Sequence, residues 1–109
     1  MVVKNPGGIP KAEKRYLNDP EYGLVPEKPV YVNGFEGQHL YLGSLKTAEG
    51  KRLRFSRQGS MRADGVDGLV DIYLATTNDL FHRPYGKIYL CLYGTENSER
   101  APSGYSLFA

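Results

Sequence analysis

Two strongly apolar runs, at residues 69–77 and 87–93, constrain what this chain can fold into more than any other stretch. The first reads Leu-Val-Asp-Ile-Tyr-Leu-Ala-Thr-Thr and the second reads Lys-Ile-Tyr-Leu-Cys-Leu-Tyr. Both are rich in the β-branched and aromatic residues that fit the pleated surface of a sheet. We therefore predict that they form two adjacent, antiparallel central strands.

The side chains of each run alternate between two faces, because successive residues of a strand point to opposite sides of the sheet. One face of the hairpin is expected to combine the aliphatic residues of both runs and to form the core. These residues are Val70, Ile72, Leu74, Ile88, Leu90 and Leu92. The opposite face is also largely apolar, whereas a sheet face in water is normally polar. We therefore expect either the rest of the chain or a partner to cover that second face.

Shorter strand patterns lie on both sides of the central runs. Residues 30–32 precede an Asn-Gly turn, residues 51–57 alternate between apolar and basic side chains, and residues 38–47 are a further strand candidate. Residues 104–109 can supply a last edge strand. No segment predicts a long helix.

The first 29 residues differ from the rest, since they hold five of the seven prolines and have no sustained periodicity. Only residues 11–17 have some helical character. The predicted fold is mainly β, with an irregular N-terminal arm over residues 1–29 that packs on the sheet and a single β domain over residues 30–109. That domain is an antiparallel meander of five to six short strands, which forms a small open barrel or a two-layer sheet.

Composition limits the class of protein. A length of 109 residues fits one domain, and a formal net charge of +2 does not by itself indicate a nucleic-acid partner. Cys91 is the only cysteine, so the chain fits a reducing compartment. No run approaches the ~18 apolar residues of a membrane span, and the N-terminus lacks the pattern of a secretory signal. We expect a soluble, cytoplasmic protein with no membrane partner.

Tyrosines characterise the second face of the central hairpin. Tyr73, Tyr89 and Tyr93 are predicted to share it, and tyrosine is favoured at interfaces because it combines an apolar ring with a polar tip. We therefore predict a non-enzymatic protein-interaction or binding module. Its partner is another protein or a second copy of the chain, which gives a homodimer.

The connection between the two central runs, residues 78–86, is a second candidate for binding. It reads Asn-Asp-Leu-Phe-His-Arg-Pro-Tyr-Gly, which is long for a hairpin and unusually aromatic, and such loops often carry binding residues. The candidates within it are Phe81, His82, Arg83 and Tyr85.

A basic cluster supplies the alternative function. Arg52, Arg54 and Arg57, with nearby tyrosines, are the residue types that bind single-stranded nucleic acid by phosphate contact and base stacking. The alternative is therefore a small β-barrel that binds single strands. The spacing is unspecific, because Arg52 and Arg54 also fit the solvent side of an ordinary amphipathic strand.

Catalytic and metal chemistry find little support in the sequence. His39, His82 and Cys91 are the only imidazole and thiol groups, and a thiol between two leucines in an inner strand has a raised pKa rather than a lowered one. The histidines lack further ligands at zinc spacing, and the Asp-Gly pairs of residues 64–68 are explained by turns. We predict no enzyme activity, no metal site and no cofactor.

Overall fold

The structure is a computed structural model, and it describes residues 11–107. Its elements in chain order are α1 (Lys11–Lys14), β1 (Val30–Tyr31), α2 (Gly34–Ser44), β2 (Leu45–Thr47), β3 (Leu53–Met61), β4 (Val70–Thr77), β5 (Pro84–Cys91) and β6 (Tyr105–Leu107). Strands predominate, which confirms the predicted mainly β class. The first ten residues of the predicted arm and the last two of the predicted final strand lie outside the described residues.

Within residues 11–107, six strands form two separate sheets. The larger has the order β1-β5-β4-β3, and the smaller pairs β2 with β6. The predicted meander holds for β3, β4 and β5, which are antiparallel neighbours. However, β1 pairs with β5 in parallel, so the sheet is mixed and does not close into a barrel. The purely antiparallel prediction was wrong because α2 follows β1, crosses the face of the sheet and carries the chain away before it can form a hairpin.

Helix α2 occupies most of the stretch for which the sequence predicts a strand at residues 38–47. Leu40 and Leu42 alternate with Tyr41 and Gly43 as they would in a strand, but the buried residues recur at helical spacing. They are Gly37, Gln38, Tyr41 and Leu42, and Leu40 is exposed. With three glycines in eleven residues the helix has poor intrinsic propensity, so packing of its buried face against the sheet decides its conformation. Only its continuation into β2 is extended.

The two central runs form the predicted hairpin of β4 and β5, but their aliphatic side chains do not share one face as predicted. Ile72 lies opposite Tyr89, and Tyr73 lies opposite Ile88. Directly opposed residues share a face, so Ile88 and Leu90 project on the same side as Tyr73. We call this side the front face; it carries Asp71, Tyr73, Ala75, Ile88 and Leu90. The back face carries Val70, Ile72, Leu74, Tyr89 and Cys91.

A one-residue bulge causes this difference. Thr76 lies opposite Pro84, but Ala75 lies opposite Gly86, so Tyr85 has no partner on β4. If Tyr85 instead paired with Ala75, Ile72 would lie opposite Ile88, and the aliphatic residues of both strands would share one face, as the sequence predicts. Because a slip of one residue exchanges the two faces of a strand, the bulge alone moves the aliphatic residues of β5 to the front.

The described part of the N-terminal arm packs against the sheet through buried polar contacts. Glu13 is 1% exposed, and its Oε2 accepts hydrogen bonds from the Tyr22 hydroxyl at 2.6 Å and from the Tyr31 N–H at 3.0 Å. The Tyr16 hydroxyl donates to the Pro29 carbonyl at 2.7 Å. Both arm tyrosines belong to the main hydrophobic core, so this carboxylate fastens the arm to β1.

Tyr105 on β6 gives a prediction about stability. Its ring packs edge-on against Tyr85 at 5.0 Å, and burial raises its pKa to about 12. Within residues 11–107 its buried hydroxyl has no hydrogen-bond partner, and it points at Gly86, where a Cβ would lie only 2.8 Å away. Because an unsatisfied buried hydroxyl costs free energy, Tyr105→Phe is expected to raise the free energy of unfolding by about 1 kcal/mol in urea denaturation.

The matched control is Tyr85→Phe. The Tyr85 hydroxyl donates to the Gly104 carbonyl at 2.6 Å and accepts from the Ala48 N–H at 3.2 Å. Removing this hydroxyl should lower the free energy of unfolding by about 1 kcal/mol. Destabilisation by both variants would show that the Tyr105 hydroxyl is satisfied in solution.

Candidate functional site

A groove on the front face, between α2 and the strands β3 and β4, is the strongest candidate for a binding site. It consists of two adjoining pockets of about 440 and 370 Å³, which meet at Phe35. We call it the Phe35 groove. The first pocket is lined by Phe35, Gln38, His39, Leu42, Gly43, Phe55 and Tyr73. The second is lined by Gly34, Phe35, Arg57, Ser60, Leu69, Asp71, Leu92 and Tyr93.

The floor of the groove is a chain of hydrogen-bonded polar side chains. The Tyr73 hydroxyl donates to Gln38 Oε1 at 2.8 Å, and Gln38 Nε2 donates to Asp71 Oδ2 at 2.9 Å. Arg57 Nη2 lies 3.3 Å from Asp71 Oδ1, which completes the chain. Gln38 and Asp71 are both buried, and the hydrogen bonds of this chain provide their side chains with partners. Such a network fixes the position of α2 over the sheet.

Burial also affects the pKa of the Tyr73 hydroxyl in the floor of the groove. Desolvation raises the pKa of Tyr73, and the nearby Asp71 carboxylate raises it further. The Tyr73 hydroxyl therefore keeps its proton at neutral pH and donates a hydrogen bond to Gln38 Oε1. This fixed donor direction also fixes the Gln38 amide, whose nitrogen then points to Asp71.

The rim of the groove is apolar and exposed. Six large hydrophobic side chains are exposed among the described residues, and three of them rim the groove. Phe35 is 77% exposed, Tyr93 is 65% exposed and Leu69 is 43% exposed. Gly68, at φ +91°, lies directly under the Tyr93 ring, where any Cβ would collide with it. The observed position of the Tyr93 ring therefore requires glycine at residue 68.

The three predicted tyrosines do not share one surface. Tyr73 is on the front face, where it belongs to the floor of the groove, and Tyr93 is on the rim. Tyr89 lies opposite Ile72 on the back face and is half-buried. The predicted tyrosine face was wrong because it assumed the register without the Tyr85 bulge. Two of its three members nevertheless lie at the Phe35 groove.

The predicted binding loop is shorter than expected, because β5 begins at Pro84 and leaves residues 78–83. The Asp79 carboxylate organises it by accepting hydrogen bonds from the Thr77 hydroxyl at 2.9 Å and the Phe81 N–H at 3.0 Å. These bonds, with the Thr77 contribution largest, lower the pKa of Asp79. Leu80, Phe81, His82 and Arg83 are exposed at its tip, and the Arg83 guanidinium lies 4.9 Å from the Phe81 ring centre.

This loop and the Phe35 groove are separate surfaces. The loop follows the last residue of β4, whereas Leu69 on the rim of the groove precedes the first. Tyr85, which the sequence assigns to the loop, is instead bonded to the segment around β6. The three remaining loop candidates, Phe81, His82 and Arg83, do not line either pocket of the groove.

The basic cluster is divided between the two faces of β3. Arg54 lies opposite Thr76 on the back face, whereas Arg57 lies opposite Tyr73 on the front face and pairs with Asp71. The geometry therefore does not bring Arg52, Arg54 and Arg57 together with Tyr73 and Tyr89 on one surface. A single-strand interface on this cluster would need all of them on one side.

The thiol and imidazole groups are dispersed. Cys91 is buried, its Sγ lies 3.8 Å from the Asp67 carbonyl, and desolvation raises its pKa. His39 and His82 are both exposed, one on α2 and one in the loop after β4. In the part of the chain that the structure describes, no group of three or more His, Cys, Asp or Glu residues could hold a metal ion. No helix there is long and apolar enough to cross a membrane.

Sequence reasoning misses two residues that define the site, Phe35 and Gln38. It leaves the first without an assignment, directly after the Asn-Gly turn, and places the second in a strand, and neither has a motif of its own. The only indication in the sequence is the helical spacing of Gln38 with Tyr41 and Leu42. Comparisons with protein-family models, with curated proteins and with solved structures find no match to this chain.

Proposed function

We propose that this chain is a non-enzymatic protein-interaction domain that binds its partner through the Phe35 groove. One observation carries the proposal: Phe35, Leu69 and Tyr93 stand exposed around an apolar groove with a hydrogen-bonded floor. Apolar side chains gathered around a groove are typical of interaction sites, whereas scattered ones are normal on any surface. Aromatic residues such as Tyr93 are also enriched among interface hot spots.

A protein segment suits the groove better than a small polar metabolite. A small-molecule site needs a few free polar groups that converge on the ligand. Here Gln38, Asp71 and Tyr73 already bond one another, so the groove mainly offers apolar contact. The same arrangement leaves no free acid and base pair on the floor, which is why we favour binding over catalysis.

The test is selection from a random peptide library on the immobilised full chain. Peptides that bind are expected to lose about tenfold or more in affinity for Phe35→Ser, because truncation of an aromatic hot spot costs about 2 kcal/mol. Leu80→Ser is the matched control, since Leu80 is even more exposed, at 92%, but lies at the far end of β4. Selection of no peptides, or of peptides that depend on Leu80 and not on Phe35, would contradict the proposal.

Self-association is the other form of this interaction hypothesis. Sedimentation of the full chain at micromolar concentration measures it directly. A dimer that Phe35→Ser dissociates would identify a second copy of the chain as the partner. Cytoplasmic residence, inferred from the single cysteine, stays a prediction.

A further inference from the structure

Strand β3 is the outer strand of the main sheet, and one of its sides is open. It pairs with β4 from Leu53 to Met61, and in residues 11–107 no strand pairs with its other side. The one bridge nearby joins Lys46 to Arg52, just before β3 begins. An open edge presents a row of backbone N–H and C=O groups with which another extended chain can pair.

The Phe35 groove runs beside this edge. Phe55, Arg57 and Ser60 of β3 line its two pockets, and all three lie on the front face, opposite Ala75, Tyr73 and Asp71. Since side chains of a strand alternate between faces, a segment added beside β3 would place every second side chain next to the groove. Backbone pairing combined with alternate side-chain contacts is an established mode of peptide recognition.

The charge of this edge selects the partner. Residues 51–62 contain five basic residues and no acidic one, although the whole chain has 14 basic and 12 acidic residues. Arg54 is exposed on the back face of β3, and Arg57 is half-exposed on the front face. A second copy that paired through its own β3 would bring like charges together across the new strand pair, which is destabilising. An acidic segment would neutralise them.

We propose that the partner of this domain supplies an extended, acidic segment, which adds to the open side of β3 as a fifth strand of the main sheet. Its apolar side chains lie in the Phe35 groove on the front face, and its carboxylates lie on the back face near Arg54. This inference rests on the proposed function and adds the conformation and the charge of the ligand. The bulge at Arg57–Gly59 and the arginines also discourage indiscriminate pairing, since charges and bulges protect open edges.

The direct test uses the full chain and a capped peptide in which glutamate and valine alternate, matched to β3 in length. We expect saturable binding by fluorescence anisotropy and slower amide exchange in β3. Two further peptides carry N-methyl groups on alternate residues. One is methylated at the glutamates and the other at the valines. Because alternate N–H groups of a strand point to opposite sides, one methylated peptide should bind about tenfold or more weakly and the other should bind like the parent.

Charge is tested separately. The peptide with lysine in place of glutamate is expected to bind about tenfold more weakly, and Arg54→Glu should weaken binding of the acidic peptide. Lys87→Glu is the matched control, because Lys87 is an exposed cation opposite Leu74 on the back face, but on β5, two strands from the edge. If Arg54→Glu and Lys87→Glu weakened binding of the acidic peptide equally, the role of Arg54 would be overturned.

The outcomes separate this inference from the proposed function. Library peptides that need Phe35 but tolerate both methylation patterns would overturn strand addition and leave the proposed function standing. Failure of every peptide to bind would overturn both. A dimer with slowed amide exchange in β3 would make a second copy the occupant and overturn the acidic partner.

Discussion

Deletion of Tyr85 is expected to keep the register of the central hairpin and to lower the free energy of unfolding by about 2–4 kcal/mol. Tyr85 is the extra residue of the bulge in β5, so its removal lets Pro84 and Gly86 pair with the adjacent residues Thr76 and Ala75 and leaves Ile88 opposite Tyr73. Ile88 and Leu90, which are completely buried, therefore stay on the front face. Burial of each of these two side chains contributes about 1.5–3 kcal/mol, so a register shift that turned both to the back face would remove a large part of the stability of a small domain, about 5–15 kcal/mol.

Urea denaturation followed by near-ultraviolet circular dichroism measures this effect. The control is Tyr85→Ala, which keeps the number of residues in β5 and removes the ring and its two hydroxyl hydrogen bonds. We expect it to fold in the native register with a loss of about 2–4 kcal/mol. A deletion variant in which Ile72 lies opposite Ile88, seen as cross-strand nuclear Overhauser effects, would refute the register argument.

Glu13→Ala is expected to lower the free energy of unfolding by about 3 kcal/mol. The substitution removes the acceptor of the buried Tyr31 N–H and leaves that donor unsatisfied, which costs about 1–3 kcal/mol, and it also opens a cavity. Tyr22 keeps a second partner, since its hydroxyl lies 2.5 Å from Ser98 Oγ. Glu21→Ala is the control, because Glu21 is exposed and its ion pair with Lys28 at 2.9 Å contributes little to stability in water. Equal losses in the two variants, measured by urea denaturation, would contradict the anchoring role.

The pH dependence of stability provides an independent check on Glu13. Desolvation raises its pKa above the ordinary value of 4.5, although the bonds from Tyr22 and Tyr31 act in the other direction. The folded protein therefore holds this proton more tightly than the unfolded chain, and its contribution to stability is lost as the pH rises from 4.5 through the raised pKa. Glu13→Gln should show a flatter stability profile over that range. A variant with the same slope as the original would show that Glu13 titrates normally.

The candidate site could be predicted only in part. Tyr73 and Tyr93 were identified from their place in the apolar runs, and both contribute to the Phe35 groove. Phe35 and Gln38 were missed because the significance of each depends on α2, whose residues have weak helical propensity and misleading alternation. Asp71 is a single acidic residue within the apolar run 69–77, and only its contact with Gln38 makes it part of the floor.

The sequence by itself determined the mainly β class, the positions of β4 and β5 and the alternation of Leu53 and Phe55 in β3, because these follow from residue type and a period of two. The tertiary structure decided the rest. It made residues 34–44 a helix, since burial of Tyr41 and Leu42 outweighs local preference. It also set the register of the central hairpin, because contacts of Tyr85 with residues far along the chain hold a bulge that no local pattern encodes.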